Sequence, residues 1–524
     1  MAGKLCIVAL YVLVNVVIGY WASRRVKNVG DFFIAGRKVG PWVSAFAYGT
    51  TYFSDVLFVG YAGKLGWGFG LNTMWIVAGN VLVGSLLAWW VLAKRTRNMT
   101  TRLDALTMPE FLAVRYNWPK LKPFAALIVF IFLVPYSASV YTGLGHLFEA
   151  NLGINFLYAQ IFMAVITGVY LLMGGYLAVT LTDFFQGLVQ IFGVVVMMLL
   201  VVGGCGGFLP ALHGATDPAN APALAAPGPI PGWISLLSLV VVTSLGAWGL
   251  PQMVQKFYSI RRISDIKPAM YITSGFSLLI AGAAYATGAM THLYFKAPGA
   301  LGPLPVVPAD PDVIIPQMLS NPLVFPSWFS TLILIVVLAA SMSTLASLVL
   351  VSSAAVSVDL LGLRVRGEQA DKRGVLIMRI LCGIFIGLSV VLAVAKISFI
   401  VNLMVISWSA LAGVFLAPYL YGLYSKRATL AGAVASALTG LALISLPAFI
   451  RYPDPKAPGE LIAIAKSPLI PLAGALAIVV PLIVMPIVSS LTKKLPAEHV
   501  ERVFAADQVE EEDEPTVAVA QTGS

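Results

Sequence analysis

The chain reads as an all-α polytopic membrane protein with about thirteen transmembrane helices. Three observations predict it. Of its 524 residues 59% are hydrophobic and only 11% charged, against roughly 25% charged in a soluble domain. Apolar windows of about 20 residues, enough to cross a bilayer as a helix, follow one another along most of the length. The 33 Lys and Arg residues gather in alternate loops, the positive-inside bias that sets membrane orientation.

The windows lie at 5–23, 42–65, 71–93, 121–149, 154–173, 180–208, 233–258, 265–295, 327–360, 374–395, 398–423, 428–449 and 468–491. The first is followed by "SRRVKNVGDFF" rather than a small-residue cleavage site, so it reads as a retained helix and not a signal peptide. An odd number of spans puts the termini on opposite sides. With the basic loops 94–122, 261–267 and 364–373 inside, the N-terminus lies outside and the C-terminus in the cytoplasm. The expected location is the plasma (inner) membrane. Within the first of these loops, "DALTMPEFLAVRY" (104–116) mixes apolar and charged residues and predicts an interfacial helix. The outer loops 214–232 and 296–326 are rich in Pro and Ala. The tail after Leu495, with "EEEDEP" (510–515), has the composition of an unstructured extension.

The net charge of +10 follows the membrane pattern and does not point to nucleic acid. Cys6, Cys205 and Cys382 lie in separate apolar segments without metal or disulfide spacing. His146, His213, His292 and His499 fall at span ends, in a loop and in the tail. With no catalytic constellation, an enzyme is not expected, nor an organic cofactor or obligate protein partner.

Two spans are interrupted. The second, "AFAYGTTYFSDVLFVGYAGKLG" (45–66), holds Gly49, two threonines and Asp55. The seventh, "VVVTSLGAWGLPQMVQ" (240–255), holds Gly246, Gly249 and Pro251. Glycine and proline weaken helices, and freed backbone groups at membrane depth must be buried in protein or line a wet cavity. The interruptions are five spans apart, the spacing of an inverted repeat of five helices plus five, each half opened by a broken helix. That divides the chain into an N-terminal helix and loop (1–41), repeats at 42–208 and 233–423, two further helices (424–495) and the tail (496–524).

The ninth span carries "ASMSTLASLVLVSS" (340–353), unusually rich in hydroxyls. At 3.6 residues per turn, Ala340, Ser343, Thr344 and Ser347 share one face. The Ala340 carbonyl and the Ser343 and Thr344 hydroxyls then lie together, and carbonyls from an unwound neighbour would complete an oxygen cage for a small hard cation. Close helix packing explains such hydroxyls equally well.

"DFFIAGRKVGPW" (31–42), "LTMPEFLAVRY" (106–116), "GGYLAVTLTDFFQGLVQ" (174–190) and "LAASMSTLASLVLVSSAAVSVDL" (338–360) resemble the sodium:solute symporter family, with the proline-carrier branch nearest at "SDV" (54–56). The resemblance runs from about residue 5 to 425. It implies a LeuT-type fold and secondary active import driven by co-transported Na⁺. By position, it implies a sodium site of the Phe53, Val56 and Ala340 carbonyls with the Ser343 and Thr344 hydroxyls. Asp55 and Asp183 match acids tied to the sodium path or coupling, which Ser347 adjoins. At Asp183, helix capping after Thr182 is the competing reading; at Lys64, it is snorkelling to the interface. Three departures stand out. Phe53 is large where relatives are small. Ala346 replaces a hydroxyl of two-sodium members, which argues against a second sodium. Thr243 and Ala247 stand where proline carriers are aromatic.

Solute contacts are expected from groups near the two breaks: Tyr48, Thr51, Tyr136, Ser137, Thr243 and Trp248. A half-helix N-terminus favours a carboxylate, hence an amino acid or other small organic acid. Proton coupling through Asp55 and a non-transporting sensor of the same fold are the alternatives.

Overall fold

The computed structural model describes residues 2–24, 34–225, 228–295, 304, 308, 310–362, 368–450 and 465–505, with backbone alone at 2, 23, 170–174 and 368–375. Among the described residues every regular element is helical, and only two isolated bridges, Val39 with Ile260 and Phe295 with Leu304, are extended. Ten helical stretches among the described residues are long and apolar enough to cross a membrane.

One of the ten, Leu57–Arg102, is a hairpin. It turns at Gly70, where φ is 55° and ψ −140°, a backbone state that glycine adopts freely and side chains resist. Tyr48 reaches the Gly84 carbonyl at 2.7 Å and Arg97 the Ile260 carbonyl at 2.6 Å, so the second limb returns beside the first. The run Phe156–Gly204 breaks likewise at Gly175, with φ 56°. Its first limb starts beside His146, and its second runs from Ser259, bonded by Tyr176, to Tyr294. Counting the Leu57–Arg102 hairpin as two and adding the shorter apolar helices Phe156–Val169 and Leu430–Ile444 brings the spans to thirteen.

They are α1 (Ala2–Ser23), α2 (41–69), α3 (70–102), α4 (Leu121–Leu152), α5 (156–174), α6 (Gly175–Gly204), α7 (232–258), α8 (Ile266–Ala289), α9 (Ser327–Leu360), α10 (Glu368–Val394), α11 (Ile400–Tyr424), α12 (Leu430–Ile444) and α13 (Ile470–Leu491). In the most apolar 18-residue stretch of each helix, 94% is buried in α9 and in α11, against 28% in α1 and 33% in α10. The first pair therefore forms the centre and the second pair the lipid-facing rim. Small residues let the inner helices touch backbone to backbone. A Cβ on Gly66 of α2 would lie 2.3 Å from the Gly288 carbonyl carbon of α8, and one on Gly413 of α11 would lie 3.1 Å from Gly440 Cα of α12.

The predicted inner end differs from the sequence expectation in two places. The segment 104–116 does not lie on the protein surface: its helix Met108–Arg115 is almost wholly buried. Thr107 caps it by accepting from the Glu110 amide at 3.2 Å, and Arg115 donates to the Gly422 carbonyl at 2.9 Å and the Ser425 carbonyl at 2.7 Å. These bonds pair Thr107 and two of the three Arg115 guanidinium nitrogens inside the protein. The tail is not unstructured throughout, because a further helix, α14 (Ala497–Ala505), buries His499, Val500, Val503 and Phe504. Its Phe504 ring faces the Arg115 guanidinium at 5.1 Å. Residues 506–524, including "EEEDEP", and most of 296–309 and 363–367 lie outside the described residues.

Candidate functional site

Both interruptions predicted from the sequence are present. In α2 the helical bonds end with the Phe53 amide donating to Gly49 O at 3.0 Å, and Phe53 leaves the helix at φ −109°, ψ 86°. Ser54 starts the second limb: its hydroxyl accepts from the Val56 amide at 3.2 Å and its carbonyl from Leu57 at 3.0 Å, which is N-capping. In α7 the limb Gly232–Ser244 passes through a tight turn at Gly246–Gly249 and an extended Leu250. Pro251 then opens the second limb, Pro251–Tyr258, at the position where a missing N–H costs nothing.

The α9 hydroxyls meet the first break. Ser343 Oγ lies 3.0 Å from the Ala340 carbonyl oxygen and 3.2 Å from that of Thr50, and Thr344 donates to the Thr50 carbonyl at 3.3 Å. The physical reason is the break itself. One residue past the last helical bond, the Thr50 carbonyl accepts from side chains of another helix. Four oxygens thus converge: Ala340 O, Ser343 Oγ, Thr344 Oγ1 and Thr50 O. The α2 carbonyl that the hydroxyls touch is that of Thr50, one turn before Phe53 and two before Val56, the carbonyls that the resemblance implies.

Asp55 is wholly buried beside this cluster. Its carboxylate faces Ser341 and the amides of Val56 and Leu144, but neither oxygen is held by a hydrogen bond of good geometry. It fits because Gly143 has no side chain: a Cβ there would lie 2.4 Å from Asp55 Oδ2.

A second polar cluster lies one turn along α9. Thr51 Oγ1 and Ser347 Oγ are 3.1 Å apart, and Lys256 donates to Ser347 Oγ at 3.0 Å and to Asp183 Oδ2 at 3.3 Å. Four helices meet there: α2, α6, α7 and α9. Asp183 is no cap, since α6 begins at Gly175 and the Thr182 hydroxyl bonds back to Ala178 and Val179 within the helix. Lys64 does not reach a free interface either, because its ammonium donates to Asn402 Oδ1 at 3.1 Å and lies 4.4 Å from the Phe399 ring centre.

The expected solute residues separate into two groups. Tyr48 donates to the Gly84 carbonyl, Thr243 to Leu239 O at 2.9 Å and Trp248 Nε1 to Val83 O at 2.9 Å. Tyr48 and Trp248 hold the broken helices against α3, Thr243 bonds back within α7, and Thr51 belongs to the Lys256 cluster. Tyr136 and Ser137 of α4 are fully buried with hydroxyls that have no hydrogen-bond partner. The Tyr136 hydroxyl faces Ser54, Thr344 and the indole of Trp408. Trp408 packs edge-on to Tyr136, with ring centres 5.8 Å apart, and is stacked with Tyr52 at 6.0 Å. Its Nε1 is likewise unpartnered.

Trp408, Tyr52, Ser54 and Lys256 were missed by the sequence reading. Ser54 carried a usable signal, since a serine just before the apolar limb of a broken helix is a candidate cap. Trp408 sits in an unbroken apolar span and carried none.

The chain is similar to proteins of known function. The family description "Sodium:solute symporter family" matches residues 32–440. An osmoregulated proline transporter of Bacillus subtilis (strain 168) is 29% identical over 440 residues, covering 83% of this chain and 86% of that protein. A sodium/proline symporter of Staphylococcus aureus (strain bovine RF122 / ET3-1) is 30% identical over 463 residues, covering 83% and 84%. Among solved structures, a Na⁺-coupled sialic acid symporter in a substrate-bound outward-open state superposes with a TM-score of 0.72 at 17% identity, over 94% of this chain and 98% of that one. A nucleobase-cation-symport-1 family transporter gives 0.50 at 15% identity, over 90% and 97%. These two likenesses concern the fold. The family match runs from the loop before the first broken helix into α12, and on that extent the chain belongs to the sodium:solute symporter family.

Proposed function

We propose that this chain carries a small amino acid or related carboxylate, proline among the first to test, across the plasma (inner) membrane with Na⁺, its N-terminus outside and its C-terminus in the cytoplasm. The observation that carries the reading is the meeting of the Ser343 and Thr344 hydroxyls with the Thr50 carbonyl at the α2 break. Sodium entering there takes these hydroxyls and the Ala340 carbonyl as ligands. It draws the Phe53 and Val56 carbonyls in place of Thr50, with the Asp55 carboxylate beside it to balance charge. Binding thus changes how α2 sits on α9. Alternating access follows if the ion holds the two helices together on one side of the membrane and its release lets them part on the other.

The solute is assigned to the space between the two breaks, bounded by Tyr136, Ser137 and Trp408. A buried polar group without a partner costs about 1–3 kcal/mol, so a ligand that pairs with the Tyr136 hydroxyl and Trp408 Nε1 recovers that cost. Both can donate, which suits a carboxylate. Proline is suggested by the resemblance at "SDV" (54–56) and by the relatives' names, while Thr243 and Ala247 at positions aromatic in proline carriers leave room for a different side chain.

The test is uptake into proteoliposomes under an imposed Na⁺ gradient, with a panel of labelled amino acids and small carboxylates. For the best solute, Trp408→Phe should raise KM about tenfold, equivalent to ~1.4 kcal/mol, with kcat largely kept. Unchanged KM in both Trp408→Phe and Tyr136→Phe would remove these residues from the solute site.

A further inference from the structure

We propose that Lys256 is a resident cation: its ammonium fills a second oxygen cluster beside the sodium site and thereby limits the protein to one bound sodium per cycle. The inference rests on the sodium reading above, and it concerns the second cluster only.

The two clusters are built alike. The first sets hydroxyls of α9, at Ser343 and Thr344, against α2 at Thr50. The second sets the next hydroxyl on the same α9 face, Ser347, against the next residue of α2, Thr51, at 3.1 Å. Residues three and four apart on a helix are neighbours on one face, so the clusters share a wall. The second cluster adds the Asp183 carboxylate from α6, which is wholly buried and whose Oδ1 has no hydrogen-bond partner. Hydroxyls and a carboxylate in an apolar interior are hard oxygen donors of the kind that small cations take.

What stands among them is the Lys256 ammonium, 1% exposed, 3.3 Å from Asp183 Oδ2 and 3.0 Å from Ser347 Oγ. The ring of Tyr176 closes the position from another side, 5.3 Å from Nζ. The ammonium carries the same unit charge as Na⁺, yet it is tethered to the second limb of α7 and cannot be exchanged. Removing the lysine would leave a buried carboxylate without its counter-charge, a costly state in a low-dielectric interior. A small cation would relieve it.

The experiment counts bound ions. Purified wild-type protein, Lys256→Ala, Lys256→Arg and Lys256→Ala/Asp183→Asn are titrated with ²²Na⁺ to saturation, and the number bound per folded protein is measured. The expected counts are one, two, one and one. A folded Lys256→Ala that binds no more sodium than wild type overturns the proposal, as does a wild type that already binds two. If Lys256→Ala does not fold, Lys256→Gln keeps the side-chain volume while removing the charge, and the same counts apply. Ser343→Ala, measured alongside, tests the first site separately. A sodium that survives that substitution removes the Ser343 assignment and leaves the Lys256 comparison decisive.

Discussion

The Tyr52 hydroxyl donates to the Thr243 carbonyl at 2.7 Å, so the end of the first limb of α2 is bonded directly to the end of the first limb of α7. The first broken helix thereby satisfies a backbone group at the end of the second one's first limb, and the two breaks are held together. Tyr52→Phe removes this donor and leaves the Thr243 carbonyl buried, together with the Asn80 amide oxygen 3.2 Å from the same hydroxyl. An unmet buried acceptor costs about 1–3 kcal/mol. The variant should melt at a lower temperature and transport more slowly. Unaltered melting and unaltered uptake would show that the breaks are held by packing alone.

Gly143 is predicted to be intolerant of even one methyl group. The clash is with the Asp55 carboxylate, 2.4 Å from where a Cβ would sit, and overpacking of this kind costs about 1–3 kcal/mol. Thermal melts of Gly143→Ala, Asp55→Ala and the double variant form a cycle that isolates the contact. The double variant should recover much of the stability lost in Gly143→Ala, because the clashing oxygen is gone. Purely additive losses would place the strain elsewhere.

Asp312 supplies a pH signature outside the membrane-spanning segments. It accepts from the Ile400 amide at 2.9 Å, capping α11. Burial pushes its carboxyl up from 3.8 to about 6, against the downward pull of that amide and of Lys64. The folded protein therefore holds this proton more tightly than the unfolded chain. The contribution to stability is fully present below about 4 and is lost as pH rises through about 6. Asp312→Asn keeps an acceptor oxygen and cannot titrate. Relative to wild type its stability should rise between pH 4 and 7, by up to ~3 kcal/mol. A difference that does not change with pH would contradict the assignment.

Much of this was legible in the sequence, and the illegible parts share a cause. The spans followed from apolar length, and both breaks from glycine and proline at matching positions. Ser343 and Thr344 stood out because hydroxyls crowd an apolar helix. Thr50 did not, because its role is played by a carbonyl that every residue has, and only the local backbone path exposes it. Lys256 did not either, because nothing in its local sequence marks it. Its partner Asp183 is 73 residues away, and no periodicity links them. The helix α14 was hidden by its charged composition, since its buried face is covered by a residue as distant as Arg115. Long-range partners, rather than local pattern, decided each of these.

The most direct measurement is the melting temperature of the detergent-purified protein against Na⁺, with K⁺ at equal ionic strength as control, for wild type and Ser343→Ala. A ligand at 100 times its Kd adds about 2.7 kcal/mol to folding stability, a shift that a melting curve resolves. Sodium should stabilise wild type, K⁺ should not, and Ser343→Ala should lose the difference. A sodium-specific shift that persists undiminished in Ser343→Ala and in Thr344→Ala would contradict the placing of the ion at the α2–α9 contact.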